Sequence, residues 1–210
     1  MAQTYNDIAG GSVHRIAGLS DGVLAIAMTL IVLEIRIPPH ADVHSEAQLA
    51  AVLVGLAPRF ITYLMSFLTL GIFWVGQQTQ LNQFTRADRN LTWLHLVFLA
   101  SQTMLPFSTS LLAEFIGFRL ALGVYWLNIL AAGLLLYVSW TYAVRHDLIR
   151  PEAKGAIDAA VRRRVIIAQA LYLIGAALCF FSTTWSIGFI VAVQLYFTIG
   201  PRLPFIRTPP

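Results

Sequence analysis

Charge is what this chain has least of. Its 210 residues hold fourteen basic and ten acidic side chains. That scarcity, with 58% hydrophobic residues and a mean hydropathy of +0.71, excludes an ordinary soluble domain. Cysteine is nearly absent too. The single Cys179 lies inside an apolar run, which rules out a disulfide framework and a thiolate metal site. Catalytic signatures are missing: there is no His-Glu-x-x-His, no phosphate-binding glycine loop ending in Lys-Ser/Thr, and no Gly-x-Ser-x-Gly elbow. No enzyme class and no cofactor is therefore indicated. The five histidines are His14, His40, His44, His95 and His146. His40 and His44 have i, i+4 spacing but follow two prolines, so an exposed loop is preferred over a metal site. The Thr-Val-Gly-Tyr-Gly filter of conventional potassium channels is also lacking. Thr69-Leu70-Gly71-Ile72-Phe73 is a faint echo inside an apolar helical run, where helix bonds consume the carbonyls a filter needs. Linkers, low-complexity tracts and internal repeats are absent, so residues 1–210 read as one domain.

What the chain does have is apolar length. Six runs fall at 14–37, 50–76, 91–116, 119–144, 164–182 and 184–201, against the roughly 20 residues a spanning helix takes. The first is not a signal peptide, because Arg15 and Asp21 flank it wrongly and no small-residue cleavage site precedes Glu34. Pro38-Pro39 ends this run, His40–Gln48 is a polar loop, and Pro58-Arg59 kinks or restarts the second helix. The expectation is an all-α integral membrane protein, a compact bundle of six transmembrane helices. With six spans both termini share a side. That side carries 11 of the 14 basic residues and leaves Arg36, Arg59 and Arg119 opposite. The bias places both termini in the cytoplasm of a cell (inner) membrane. Arg162-Arg163-Arg164 is accordingly a topology signal near anionic lipid, not a nucleic-acid site.

The first run is the most informative. Arg15-Ile16-Ala17-Gly18-Leu19-Ser20-Asp21 leads directly into Gly22–Leu33. Polar and charged groups are expensive at membrane depth and persist where they pair or serve a function. A helix begun at Asp21 and ended at Ile37 would have 17 residues and measure about 25 Å, short of a ~30 Å core. A start nearer Ser12 is favoured, with Arg15, Ser20 and Asp21 inside the helix; the alternative makes Ser20 or Asp21 an N-cap. Arg15 is six residues from Asp21, poor spacing for a pair within one helix, so Asp21 needs partners on other helices or on another subunit. At 3.6 residues per turn Ile26, Leu30 and Leu33 share a face, with Thr29 beside them. In a monomer this stripe is ordinary packing. Where several subunits meet, it makes apolar rings that gate ions by dewetting. Thr29 either offers its hydroxyl to that lumen or bonds back to the carbonyl of Ala25.

Arg-x-x-x-Leu-Ser-Asp followed by an alanine/isoleucine-rich run resembles the Arg-x-x-x-Phe-Ser-Asp signature of the transmembrane protein 175 potassium channels. Phe73-Trp74, Arg86-Ala87-Asp88-Arg89 and Leu105-Pro106-Phe107 also match. The short bacterial form is one six-helix unit of this length. The resemblance implies a homotetramer with four first helices lining a central pore, no re-entrant filter, and passive flow of monovalent cations, potassium preferred. It carries the constrictions to Ile26, Leu30 and Leu33 and the selectivity threonine to Thr29. Arg15, Ser20, Asp21 and Trp74 match residues that tie the first helix to its neighbours through hydrogen bonds.

The chain departs from the pattern in places. Leu19 replaces the phenylalanine, Gln77 and Gln78 stand where histidine is common, and His95 stands where asparagine is expected. Glutamine and histidine still donate hydrogen bonds, so Gln77 and His95 are assigned to the same network. His95 either bridges helices as a neutral imidazole or makes the network responsive to pH. Gln102, Thr103, Asn128, Gln169 and Gln194 read as bridges between helices. Glu34 has two readings: a ring of carboxylates at the pore mouth, or a local role, as an ion pair with Arg36 or Arg59 or as a simply exposed side chain. The alternative functions are a secondary transporter and a non-conducting membrane scaffold. The first wants an intramembrane ionisable cluster that the chain hardly offers outside Arg15 and Asp21.

Overall fold

The computed structural model describes residues 12–37 and 43–200, and within them every named element is a helix. Eight α-helices occur among the described residues: α1 Val13–Leu30, α2 Glu46–Gly55, α3 Ala57–Leu81, α4 Arg89–Thr103, α5 Leu105–Glu114, α6 Arg119–Arg145, α7 Ala156–Leu178 and α8 Thr183–Ile199. Pro38, Pro39 and His40 lie outside the described residues, as do Arg202 and Arg207.

Helix ends follow local chemistry. Ser12 caps α1, its hydroxyl accepting from Arg15 N at 3.3 Å. This is the early start that spanning length requires, and a 3₁₀ turn at Ile31–Glu34 completes the helix. Ser45 caps α2, so Glu46–Gln48 is helical and not part of a loop. Pro58, at the start of α3, separates it from α2, as proline's missing N–H dictates. The third run is also broken, at Met104, because Pro106 opens α5. Asn128 on α6 spans that break. With its amide nitrogen facing Ser101 O at 2.9 Å, its oxygen accepts from Leu105 N at 3.1 Å and Ser108 Oγ at 3.2 Å. The backbone groups freed by the proline are thus satisfied from a neighbouring helix. α7 begins at Ala156, eight residues before the apolar run, where Asp158 accepts from Trp140 Nε1 and Arg162 Nε, both at 2.7 Å.

Four segments are long and apolar enough to cross a membrane: Val13–Glu34, Ala57–Leu81, Arg89–Glu114 and Arg119–Arg145. α7 carries three arginines near its start, and α8 is 17 residues long. α1 packs mainly on α3 and α4, α4 on α6, and α6 on α7, while α8 closes on α7 and α3. α7 and α8 meet at Gly175, where a Cβ would stand 2.8 Å from Ile190 Cγ1 and where Ser186 Oγ donates to the Gly175 carbonyl. Deep in the bundle a polar cluster joins four helices. Ser66 Oγ lies 2.6 Å from Thr109 Oγ1, Thr69 Oγ1 lies 3.0 Å from the Tyr125 hydroxyl, and Gln194 Nε2 donates to Thr69 Oγ1 at 2.7 Å.

Candidate functional site

Leu24, Ala27 and Ile31 turn inward from α1. The opposite face, about half a turn away at 100° per residue, carries Ile26, Thr29, Leu30 and Leu33. Ile26 is 60% exposed, Leu30 45% and Leu33 67%, and Thr29 is exposed as well. All four candidate constriction residues therefore share one uncovered surface of the single chain. Gly18 and Gly22 continue it toward the start of the helix, with open space where a Cβ would stand. Thr29 Oγ1 donates to the Ile26 carbonyl at 2.8 Å, one residue later than the Ala25 bond expected. The tighter 3₁₀ turn also rotates Leu33 away from its α-helical position.

Asp21 is anchored from α3. Its Oδ1 accepts from Trp74 Nε1 at 2.7 Å and from Gln78 Nε2 at 2.9 Å. Trp74 and Gln78 are four residues apart, so both donors lie on the α3 face turned to α1. Ser20 plays no part in this anchor: its buried hydroxyl donates to the Ile16 carbonyl of its own helix at 2.8 Å. The Arg15 guanidinium has no hydrogen bond or ion pair among the described residues and lies on the wall of a cavity with Thr92 and His95. Gln77 points elsewhere, its Nε2 donating to His95 Nδ1 at 3.1 Å. The other ring nitrogen of His95 is Nε2. That atom and Gln77 Oε1 are buried without a partner among the described residues. The structure thus brings Asp21 together with Trp74, and Gln77 with His95, as two separate sets. Gln78 is the anchor missing from the sequence-derived set. Its i, i+4 spacing from Trp74 is a signal for it, but Gln77 at i, i+3 lies almost as near on the helix, so spacing alone does not choose between them.

At the other end of α1, Glu34 Oε2 accepts from Ser110 Oγ at 2.6 Å. The ion pair with Arg36 or Arg59 is not formed among the described residues. Arg59 donates to the Glu34 backbone carbonyl at 3.2 Å and gives its charge to Glu114 at 2.8 Å. Ser110 reaches Glu34 because α5 packs against the turn that ends α1.

The family profile described as the endosomal/lysosomal potassium channel TMEM175 matches residues 15–106, the stretch from Arg15 through the Leu105-Pro106 break. A potassium channel of Chamaesiphon minutus is 32% identical over 190 residues, covering 88% of this chain and 93% of its own. A potassium channel of Streptomyces collinus is 30% identical over 188 residues, covering 87% and 90%. The endosomal/lysosomal proton channel TMEM175 of Rattus norvegicus is 28% identical over 198 residues, 93% of this chain but 38% of that longer protein. Among solved structures, the crystal structure of a lysosomal potassium-selective TMEM175 homolog from Chamaesiphon minutus superposes with a TM-score of 0.77 at 30% identity, covering 91% of this chain and 98% of that one. Sequence and backbone agree over nearly the whole length of both proteins, and the chain, a multi-pass membrane protein, belongs to the TMEM175 family.

Proposed function

We propose that this chain is a potassium-preferring cation channel that conducts passively along the electrochemical gradient. The observation that carries the reading is the uncovered face of α1, where Ile26, Thr29, Leu30 and Leu33 share one surface. Four copies meeting along it would stack apolar rings on an axis and set conduction by the cost of dehydrating the ion. The bacterial relatives named as potassium channels support the ion. In this reading α7 and α8 complete six spans in one domain, four protomers form the homotetramer, and both termini lie on the cytoplasmic side of the inner membrane. Trp74 and Gln78 hold α1 through Asp21, and Glu34 places four carboxylates near the outer mouth.

Liposomes holding the purified protein, under opposed potassium and sodium gradients with a voltage-sensitive dye, test this reading. Wild-type protein should build a potassium potential. Ile26→Ala and Leu33→Ala should diminish it by admitting sodium, without loss of the tetramer. Unchanged ion preference in both variants would sink the pore assignment, and a monomeric protein without flux would return the α1 stripe to ordinary packing. A proton-driven potential with no potassium response would transfer the reading to the ion named for the rat relative.

A further inference from the structure

The outer half of the α6–α7 seam holds a cavity of about 310 Å³ that the channel reading does not use. Its floor is Leu122 and its sides are Trp126, Leu173 and Phe180, so its body is apolar. Gly123 widens it, because nothing stands within 4 Å of where a Cβ would be. Leu173 is 54% exposed and Phe180 75%, so in this membrane protein the lip faces lipid. One charged group lines it: Arg119, in the first turn of α6. The nearby carboxylate of Glu114 is taken by Arg59. The Arg119 guanidinium is exposed, with no hydrogen bond or ion pair among the described residues. Phe118 gives α6 no side-chain cap, so free N–H groups and the positive end of a 27-residue helix stand beside the guanidinium.

An unpaired cation at the end of a helix, above an apolar trough open to the bilayer, has the polarity of one phospholipid. We propose that this groove is a binding site for an anionic phospholipid in the leaflet on the α5–α6 side, with its phosphate on Arg119 and the first turn of α6, and one acyl chain along Gly123 and Trp126. The phosphate matches the fork of the guanidinium. The chain covers apolar surface that a headgroup alone would leave open. The site lies away from the uncovered face of α1, whose main packing partners are α3 and α4. It rests on the membrane placement of the chain and not on conduction.

Native mass spectrometry of the intact protein, released from nanodiscs of mixed phosphatidylcholine and phosphatidylglycerol, reads the site directly. Wild-type protein should retain phosphatidylglycerol about tenfold more tightly than phosphatidylcholine, whose choline cation is repelled by Arg119 and the positive end of α6. Arg119→Gln should erase that preference. Gly123→Leu should expel the lipid by filling the trough while leaving the guanidinium in place. Unchanged melting of each variant in phosphatidylcholine shows that the fold is intact. Equal retention of the two lipids by the wild type overturns the proposal, as does full retention of phosphatidylglycerol by both variants. A changed oligomeric mass for Gly123→Leu with no loss of lipid would assign the groove to a second copy of the chain. No ion gradient enters these readouts, so a negative result leaves the channel reading standing, and a protein silent in flux can still show the lipid.

Discussion

α3 buries Thr62, Ser66, Thr69, Gln77 and Gln80 and turns Phe60, Leu64, Phe67 and Val75 outward. α1, packed beside it, buries one polar residue of its own, Ser20, and turns Ile26, Thr29, Leu30 and Leu33 outward. Both helices are apolar enough to span a membrane, but their polar groups are used differently. Those of α3 bind helix to helix: Thr69 to Tyr125 and Gln194, Gln77 to His95, and Trp74 and Gln78 to Asp21. Those of α1 bond mostly within the helix, as Ser20 and Thr29 do, and Asp21 is its main polar tie to another helix. Lipid tails give apolar surfaces no drive to associate, so packing and hydrogen bonds, each worth about 0.5–2 kcal/mol, hold a membrane bundle together. α3 is therefore the hub of the protomer. α1 is attached by packing, by Asp21 and, in the turn that ends it, by Glu34, and its outward face is uncovered in the single chain.

The largest effect should come from the hub. Thr69→Val keeps the shape of the side chain but leaves Gln194 Nε2 without its acceptor, at a cost of about 1–3 kcal/mol. Thr29→Val removes a hydroxyl bonded only within α1 and should leave stability unchanged. Melting of the two variants in one detergent checks the contrast, and equal losses would erase the distinction between the helices. Next in size is Asp21→Ala, which releases Trp74 and Gln78 together and should cost about 1–2 kcal/mol at this exposed position. It should also reduce the assembled fraction on size exclusion; a normal, stable tetramer would show that α1 needs no anchor. The smallest effect is expected outside the membrane. There Lys154 hydrogen-bonds Asp147 and holds its carboxyl below the usual value of 3.8. A depressed acid contributes stability above its unfolded pKa and loses it as pH falls through the folded one. Full exposure and solvent screening should make that contribution undetectable. Asp147→Asn, which tolerates the positive φ of 53° at this position, should melt like the wild type at pH 7 and at pH 5.

Much of this was legible along the chain. Six apolar runs locate the helices, Pro58 marks the restart of α3, and spanning length puts the start of α1 at Ser12. The signature from Arg15 to Asp21 points to the right family. The second break was not read, although Pro106 is as visible as Pro58, because apolar residues continue on both sides of it. Along the chain the partner of Asp21 stays open between neighbouring helices and another subunit, and the network assigned around it holds Trp74 and Gln77 but not Gln78. Adjacent residues differ by 100° on a helix, and hydropathy alone does not say which of two glutamines faces α1. For Glu34 a pore-mouth ring, an arginine pair and simple exposure all stand open along the chain, and α5 delivers a serine.

By itself, then, the sequence determined helicity, the number of apolar runs, the breaks at proline and the family. All of these depend on neighbours in the chain: backbone hydrogen bonds closed within a segment and side chains repeating every 3.6 residues. Tertiary structure decided which face of α1 is covered, that Asp21 binds Trp74 and Gln78 while Gln77 binds His95, and that Arg59 goes to Glu114. Those outcomes depend on the rotation of each helix about its axis, which interhelical packing sets and no single helix encodes.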